Sequence, residues 1–184
     1  YNGTKFSYIS ISNGNLYING PLTISLWLFS RKSGAQQQLL HSLNLYEIII
    51  RNNDEIRFSP DFAGVNYIAS PPINLNDGGW HHILVTTNAT LDPLHLITLD
   101  NSKIYVDGVS VGNAVSGRWE PIANVLKDLT IAQGHNTGFV DGLIDEFAIW
   151  SRSITAEEAK QLYYSNLYKY NSTQWNLYIN EQNL

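Results

Sequence analysis

The residues best equipped for chemistry are the carboxylates Asp145 and Glu146, the imidazoles His81 and His82, and three stretches where aromatic rings stand among planar polar groups. Glycoside hydrolysis needs two carboxyl groups across one bond, one to donate a proton and one to attack or to activate water. Asp145 and Glu146 are adjacent, and successive strand residues point to opposite faces, so alternation keeps them from forming that pair. Asp145 falls in step with Leu143, Phe147 and Ile149. If those pack inward, the carboxylate does too and must find donors or a cation. Backbone amides or His81, in step with Ile83 and Val85, are the candidate donors, and a calcium ion at Asp145 is the alternative. No second carboxylate can be placed beside it from spacing. His41, His82, His95 and His135 lack metal-ligand spacing, and His81 and His82 diverge on a strand, which excludes a zinc site. No Gly-x-Ser-x-Gly elbow, phosphate loop or His-Glu-x-x-His occurs, so the chain is not expected to be an enzyme.

Sugar binding asks for an exposed aromatic face beside planar hydrogen-bonding groups. Arg118, Trp119 and Glu120 meet that requirement in the stretch 116–121. So do Asp61, Asn66 and Tyr67 in 59–67, and His135 and Asn136 in 134–139. All three read as loops, which carry binding more often than the framework beneath them.

Composition limits what those residues can be attached to. With 184 residues, 43% hydrophobic and 15% charged, the chain can bury the core of one domain. A net charge of -5 without a basic run excludes nucleic acid as a partner. No apolar run reaches the roughly 18 residues of a membrane span, so membrane insertion is not expected. Cysteine is absent, which removes disulfides and thiolate sites. Sequons at Asn2, Asn88 and Asn171 are about what chance gives in a chain this rich in Asn. The opening YNGTKFSYISIS reads directly as a strand, as in a piece of a longer protein.

Short strand signals recur between turn residues, the pattern of an all-β sandwich. Leu22, Ile24, Leu26 and Leu28 alternate with Thr23, Ser25, Trp27 and Phe29, so both faces of that strand should be covered. Asp107-Gly108 predicts a two-residue hairpin with Val106 opposite Val109 and Ile104 opposite Val111, all on one face. Asp77-Gly78 and Asp141-Gly142 are further turn signals. Thr155 and Glu158 form a capping box, followed by Ala159, Leu162 and Tyr163 on one helical face, a helix that closes an edge or end of the sandwich. Residues 166–184 form a separate segment in which Trp175 to Ile179 alternates like an extra strand or the start of another module.

Four motifs in order, FSYISIS with LTISLWL, WHHILVT, KIYVDGVSVG and GLIDEFAIWSRSITAEEAKQLYYS, resemble the laminin-G-like branch of the concanavalin A-like jelly rolls. The resemblance covers residues 1–165. It implies an all-β jelly-roll sandwich of two antiparallel sheets with one short C-terminal helix. The family includes glycosidases with a Glu-x-Asp-x-x-Glu pattern, which is missing here, so a glycoside hydrolase is the most distant reading. The expected role is a non-catalytic recognition module of a larger extracellular or cell-surface protein, binding carbohydrate. The alternative is a structural or adhesive module that contacts cell-surface protein or copies of itself. The resemblance also makes calcium at Asp145 the cofactor to look for.

Overall fold

The structure, a computed structural model, describes residues 7–12, 20–42, 46–59, 67–88, 90–91, 97–98, 102–114, 118–119, 128–133 and 138–170. The strands are β1 (Ile9–Ile11), β2 (Leu22–Ser30), β3 (Gln37–Ser42), β4 (Tyr46–Ile50), β5 (Glu55–Ser59), β6 (Ile68–Pro72) and β7 (His81–Thr87), then β8 (Thr90–Leu91) and β9 (Ile97–Thr98). They continue with β10 (Lys103–Val106), β11 (Val109–Ala114), β12 (Arg118–Trp119), β13 (Leu129–Ile131) and β14 (Gly142–Trp150), and the helix α1 (Ala156–Tyr170) follows. One antiparallel ladder runs β1-β13-β3-β4-β5-β6-β11-β10-β7-β2-β14. It folds on itself into a six-stranded and a five-stranded layer, the expected jelly roll. β12, β9 and β8 form a separate small sheet.

The core lies between the layers, where period-two alternation aims Leu22, Ile24, Leu26 and Leu28 of β2 at Ile48, Ile50, Ile56, Phe58 and Ile68. Each such side chain, fully withdrawn from water, contributes on the order of 1.5–3 kcal/mol. The other face of β2 is also covered, as its pattern predicts. Trp27, 1% exposed, lies under α1, with ring centroids 5.6 Å from Tyr163 and 4.3 Å from Tyr170. Thr23 Oγ1 donates to the Arg152 carbonyl at 2.7 Å, and Ile154 N–H donates to Thr86 Oγ1 at 3.1 Å, so the chain entering α1 satisfies the polar groups it buries.

The capping box is present in both directions. Thr155 N–H donates to Glu158 Oε2 at 2.8 Å, and Glu158 N–H to Thr155 Oγ1 at 3.2 Å. Ala159, Leu162 and Tyr163 face the sheet as their spacing predicts. The helix runs past Ser165 to Tyr170, so the first residues of the 166–184 segment are helical rather than extended, while Trp175 to Ile179 lie outside the described residues. It lies over the outer face of the five-stranded layer rather than capping an edge.

Two bulges and one turn differ from what the sequence predicts. In the hairpin, Val106 does pair with Val109, and Asp107 and Gly108 take φ of 52° and 76°. A bulge between Ile104 and Tyr105 then sets Ile104 opposite Gly112 instead of Val111, and Val109 is 64% exposed. Asp141-Gly142 is not a free turn. Gly142 opens β14 against β2, where an added Cβ would stand 2.0 Å from the Phe29 carbonyl oxygen. The second bulge, between Asp145 and Ala148, bears on the site.

Candidate functional site

At the two ends of the ladder, β1 and β14 face each other across the sandwich and leave a slot of about 570 Å³. Ile131, Val140, Ile144 and Phe147 supply apolar floor and wall. The polar lining is Arg31, Asp141, Asp145 and Glu146, and Tyr8 stands at the rim with 53% of its surface exposed. The volume is within the range of small-molecule sites.

The bulge in β14 determines which side chains enter the slot. Glu146 takes φ 49°, which inserts an unpaired residue and resets the alternation. Ile144, Phe147 and Ile149 therefore face the core, while Leu143 is 49% exposed and Asp145 is exposed. The inward Asp145 that alternation predicts is thus corrected. Its partner differs as well, since Asp145 Oδ1 accepts the Glu146 N–H at 2.8 Å. His81 is engaged elsewhere, with Nδ1 2.8 Å from Asp107 Oδ2 and Nε2 3.1 Å from Asp77 Oδ1. The bulge also removes the premise that Asp145 and Glu146 diverge, because both carboxylates reach the last turn of α1, Glu146 at Lys169 and Asp145 beside Tyr170.

Two cations from other elements meet these carboxylates. Arg31 Nη1 lies 3.8 Å from Asp141 Oδ1 with both groups about half exposed, a pair worth no more than about 1 kcal/mol. Lys169, in the last turn of α1, donates to Glu146 Oε1 and ties the helix to the bulge. Burial, then the carboxylates of Asp145 and Glu146, hold the Tyr170 phenol above its ordinary range. Among the described residues no group of three or more His, Cys, Asp or Glu is placed to hold a metal, so the calcium expectation rests on Asp145 alone.

Of the sugar-site residues expected from sequence, Arg118, Trp119 and Tyr67 fall among the described residues. Arg118 and Trp119, read as loop, are the paired strand β12, opposite Thr98 and Ile97. Tyr67 precedes β6, and Arg57 Cζ sits 3.8 Å over its ring, so that stacking face is occupied by a guanidinium that Glu55 also holds at 2.9 Å. Glu120, Asp61, Asn66, His135 and Asn136 lie outside the described residues. The slot instead draws on Tyr8, Arg31 and Asp141, for which the only local signal is the aromatic within FSYISIS.

A two-layer antiparallel jelly roll with a mixed polar and aromatic slot at its open seam is a lectin-like framework. The family model of the concanavalin A-like lectin/glucanases superfamily matches residues 2–160, and the chain belongs to that family. No curated protein is similar enough in sequence to match. Among solved structures, the botulinum neurotoxin serotype D binding domain is 16% identical with a TM-score of 0.61, over 89% of this chain and 42% of that one. The serotype D ligand binding domain in complex with N-acetylneuraminic acid is 14% identical with a TM-score of 0.58, over 88% and 40%. A Bacteroides ovatus protein assigned as carbohydrate binding is 15% identical with a TM-score of 0.58, over 85% and 45%. These likenesses establish the fold, and the chain spans about two fifths of the length of the structures it matches.

Proposed function

We propose that this domain is a non-catalytic recognition module of a larger extracellular or cell-surface protein and that it binds carbohydrate in the slot between β1 and β14. The observation that carries the reading is the slot lining, an exposed Tyr8 ring beside Arg31, Asp141, Asp145 and Glu146. A ring to stack on the apolar face of a sugar, with planar groups for its hydroxyls, is what such a site requires. The family and the carbohydrate-related solved structures support it.

Hydrolysis is the weaker reading although both carboxylates line the slot. One carboxyl must be free to donate a proton and the other to attack or activate water. Glu146 is committed to Lys169, and Asp145 to the amide of its neighbour.

An adhesive module is the second reading, favoured by the exposed apolar residues Tyr8, Ile9, Ile11 and Leu143 around the same seam. A glycan array probed with the wild type and Tyr8→Ala separates the two. Glycan binding that the substitution removes supports the lectin. Protein binding with no glycan signal supports adhesion.

A further inference from the structure

We propose that α1 is an acid-released cover: protonation of His82 lets the helix lift from the outer face of the five-stranded layer and uncovers the rings of Trp27 and Trp80 while the sandwich stays folded. His82 is a buried titratable group that the slot does not use. It lies on β7 opposite Trp27 of β2 and beneath α1, 2% exposed. Its ring stands 5.2 Å from Trp27 and 6.3 Å from Tyr163 of the helix.

An imidazolium carries two N–H donors and needs two acceptors. The site supplies one. Ser25 Oγ lies 2.7 Å from Nε2, whereas Nδ1 is buried with no hydrogen-bond partner among the described residues. Trp27 Nε1, beneath the same helix, is likewise buried and unpartnered among them. Both atoms regain water when the helix lifts, so opening relieves two buried polar groups at once.

The groups that face His82 leave a proton there uncompensated. From α1 comes the Tyr163 phenol, which burial holds above its ordinary range and so keeps neutral in acid. Lys160 of the same helix directs its ammonium to the Tyr164 ring, 6.0 Å away. Lys169, Glu146 and Asp145 gather at the far end of α1 around Tyr170. The charged group that acts on His82 is Asp107 in the hairpin turn, and burial outweighs its pull. That carboxylate already accepts the His82 N–H at 2.8 Å and stands 2.8 Å from His81 Nδ1.

The helix is held lightly enough to leave. Of its fifteen residues, Ala159 is the one that is buried. A segment of that length is marginal as a helix in water, so undocking also frees its amides. His81 acts on the frame instead. It bridges Asp107 and Asp77 within the sandwich, with α1 closed or open, and its contribution is complete in acid. Acid therefore weakens the sandwich less than it releases the helix.

Beneath the closed helix His82 takes a proton only at about 4, and in water near 6.5, so going from pH 7.5 to 5 raises the open-to-closed ratio by up to about thirtyfold. Hydrogen exchange on the whole chain across that range, corrected for intrinsic rates, tests this. Amides of α1 should be at least tenfold less protected than those of β4 and β5 at every pH. Their protection should fall by about ten- to thirtyfold, level above pH 7 and with a slope near one proton between pH 6 and 5. His82→Gln should remove the fall. Equal protection of α1 and the β4–β5 ladder would mean that the helix leaves only with the whole sandwich, and overturns the proposal. So does α1 protection that is level with pH, or a fall that His82→Gln leaves in place. Where that variant does not fold, the wild-type curve decides, since a slope of two or more protons or a fall beginning above pH 7 also overturns it.

Discussion

Ser25 Oγ and His82 Nε2 lie 2.7 Å apart across β2 and β7, and both side chains are buried beneath α1. Burial pushes the His82 imidazole down to about 4 despite the opposing pull of Asp107. The unfolded chain takes up a proton there near pH 6.5, the folded chain only near 4, so stability is full above about 6.5 and declines as pH falls toward 4. The difference corresponds to about 3 kcal/mol. His81 acts with the opposite sign. Asp107, then Asp77, raise it, so its contribution is complete below its unfolded pKa and fades as pH rises through the folded one. Thermal melts from pH 8 to 4.5 should show a loss of stability below pH 6.5 that is much smaller in His82→Gln. An equal loss in both would place the acid sensitivity elsewhere.

Gly142 meets the Phe29 carbonyl where no Cβ fits, whereas Gly20 has open space around it. Gly142→Ala must push β14 away from β2 and should cost about 1–3 kcal/mol or more, with Gly20→Ala close to neutral. Denaturant midpoints for the two variants check this. Equal midpoints would mean the strands are not packed this closely.

Asp145 is exposed, and the Glu146 amide it accepts is on an exposed residue, so its removal opens no cavity in the core. Asp145→Ala should therefore change stability by less than about 1 kcal/mol. Tyr8→Ala should weaken glycan binding by roughly 1–3 kcal/mol while leaving the melting temperature nearly unchanged. Calorimetry in both modes measures the two quantities together, and a large drop in melting temperature for either variant would mean that the residue packs rather than binds.

Thr155 satisfies the first turn of α1. Thr155→Ala should cost about 1 kcal/mol and Thr155→Ser little. If α1 holds down Trp27, the alanine variant should also shift tryptophan emission to the red at lower denaturant than the wild type does.

The parts of this fold that were legible in the sequence are those set by local chemistry. The capping box at Thr155 and Glu158, the Asp107-Gly108 turn and the two covered faces of β2 each follow from residues a few positions apart. The bulges were not legible. Glu146 adopts a left-handed φ that glycine usually marks, and Ile104 to Val111 looks like clean alternation. One extra residue reverses every face beyond it, so strict alternation aims Asp145 inward toward His81 where the bulged strand does not. The slot was invisible for another reason. Tyr8, Arg31 and Asp141 are distant in sequence and meet only because the ladder closes on itself. Arg118 and Trp119 read as loop in the sequence because a two-residue bridge with Ile97 and Thr98 leaves no periodic trace.

The placement of β1 and β14 at opposite ends of one ladder also sets how the domain bears mechanical load. Tension applied between Ser7 and Tyr170 falls first on the pairing of β1 with β13 at one end and on the docking of α1 against Trp27 and Trp80 at the other, with the pairing of β14 with β2 behind the helix. β1 is three residues long with exposed side chains, while β14 pairs along most of its nine residues. Pulled from its ends, the domain would release its short first strand early and keep the rest of the sandwich intact, a tether that lengthens before it fails.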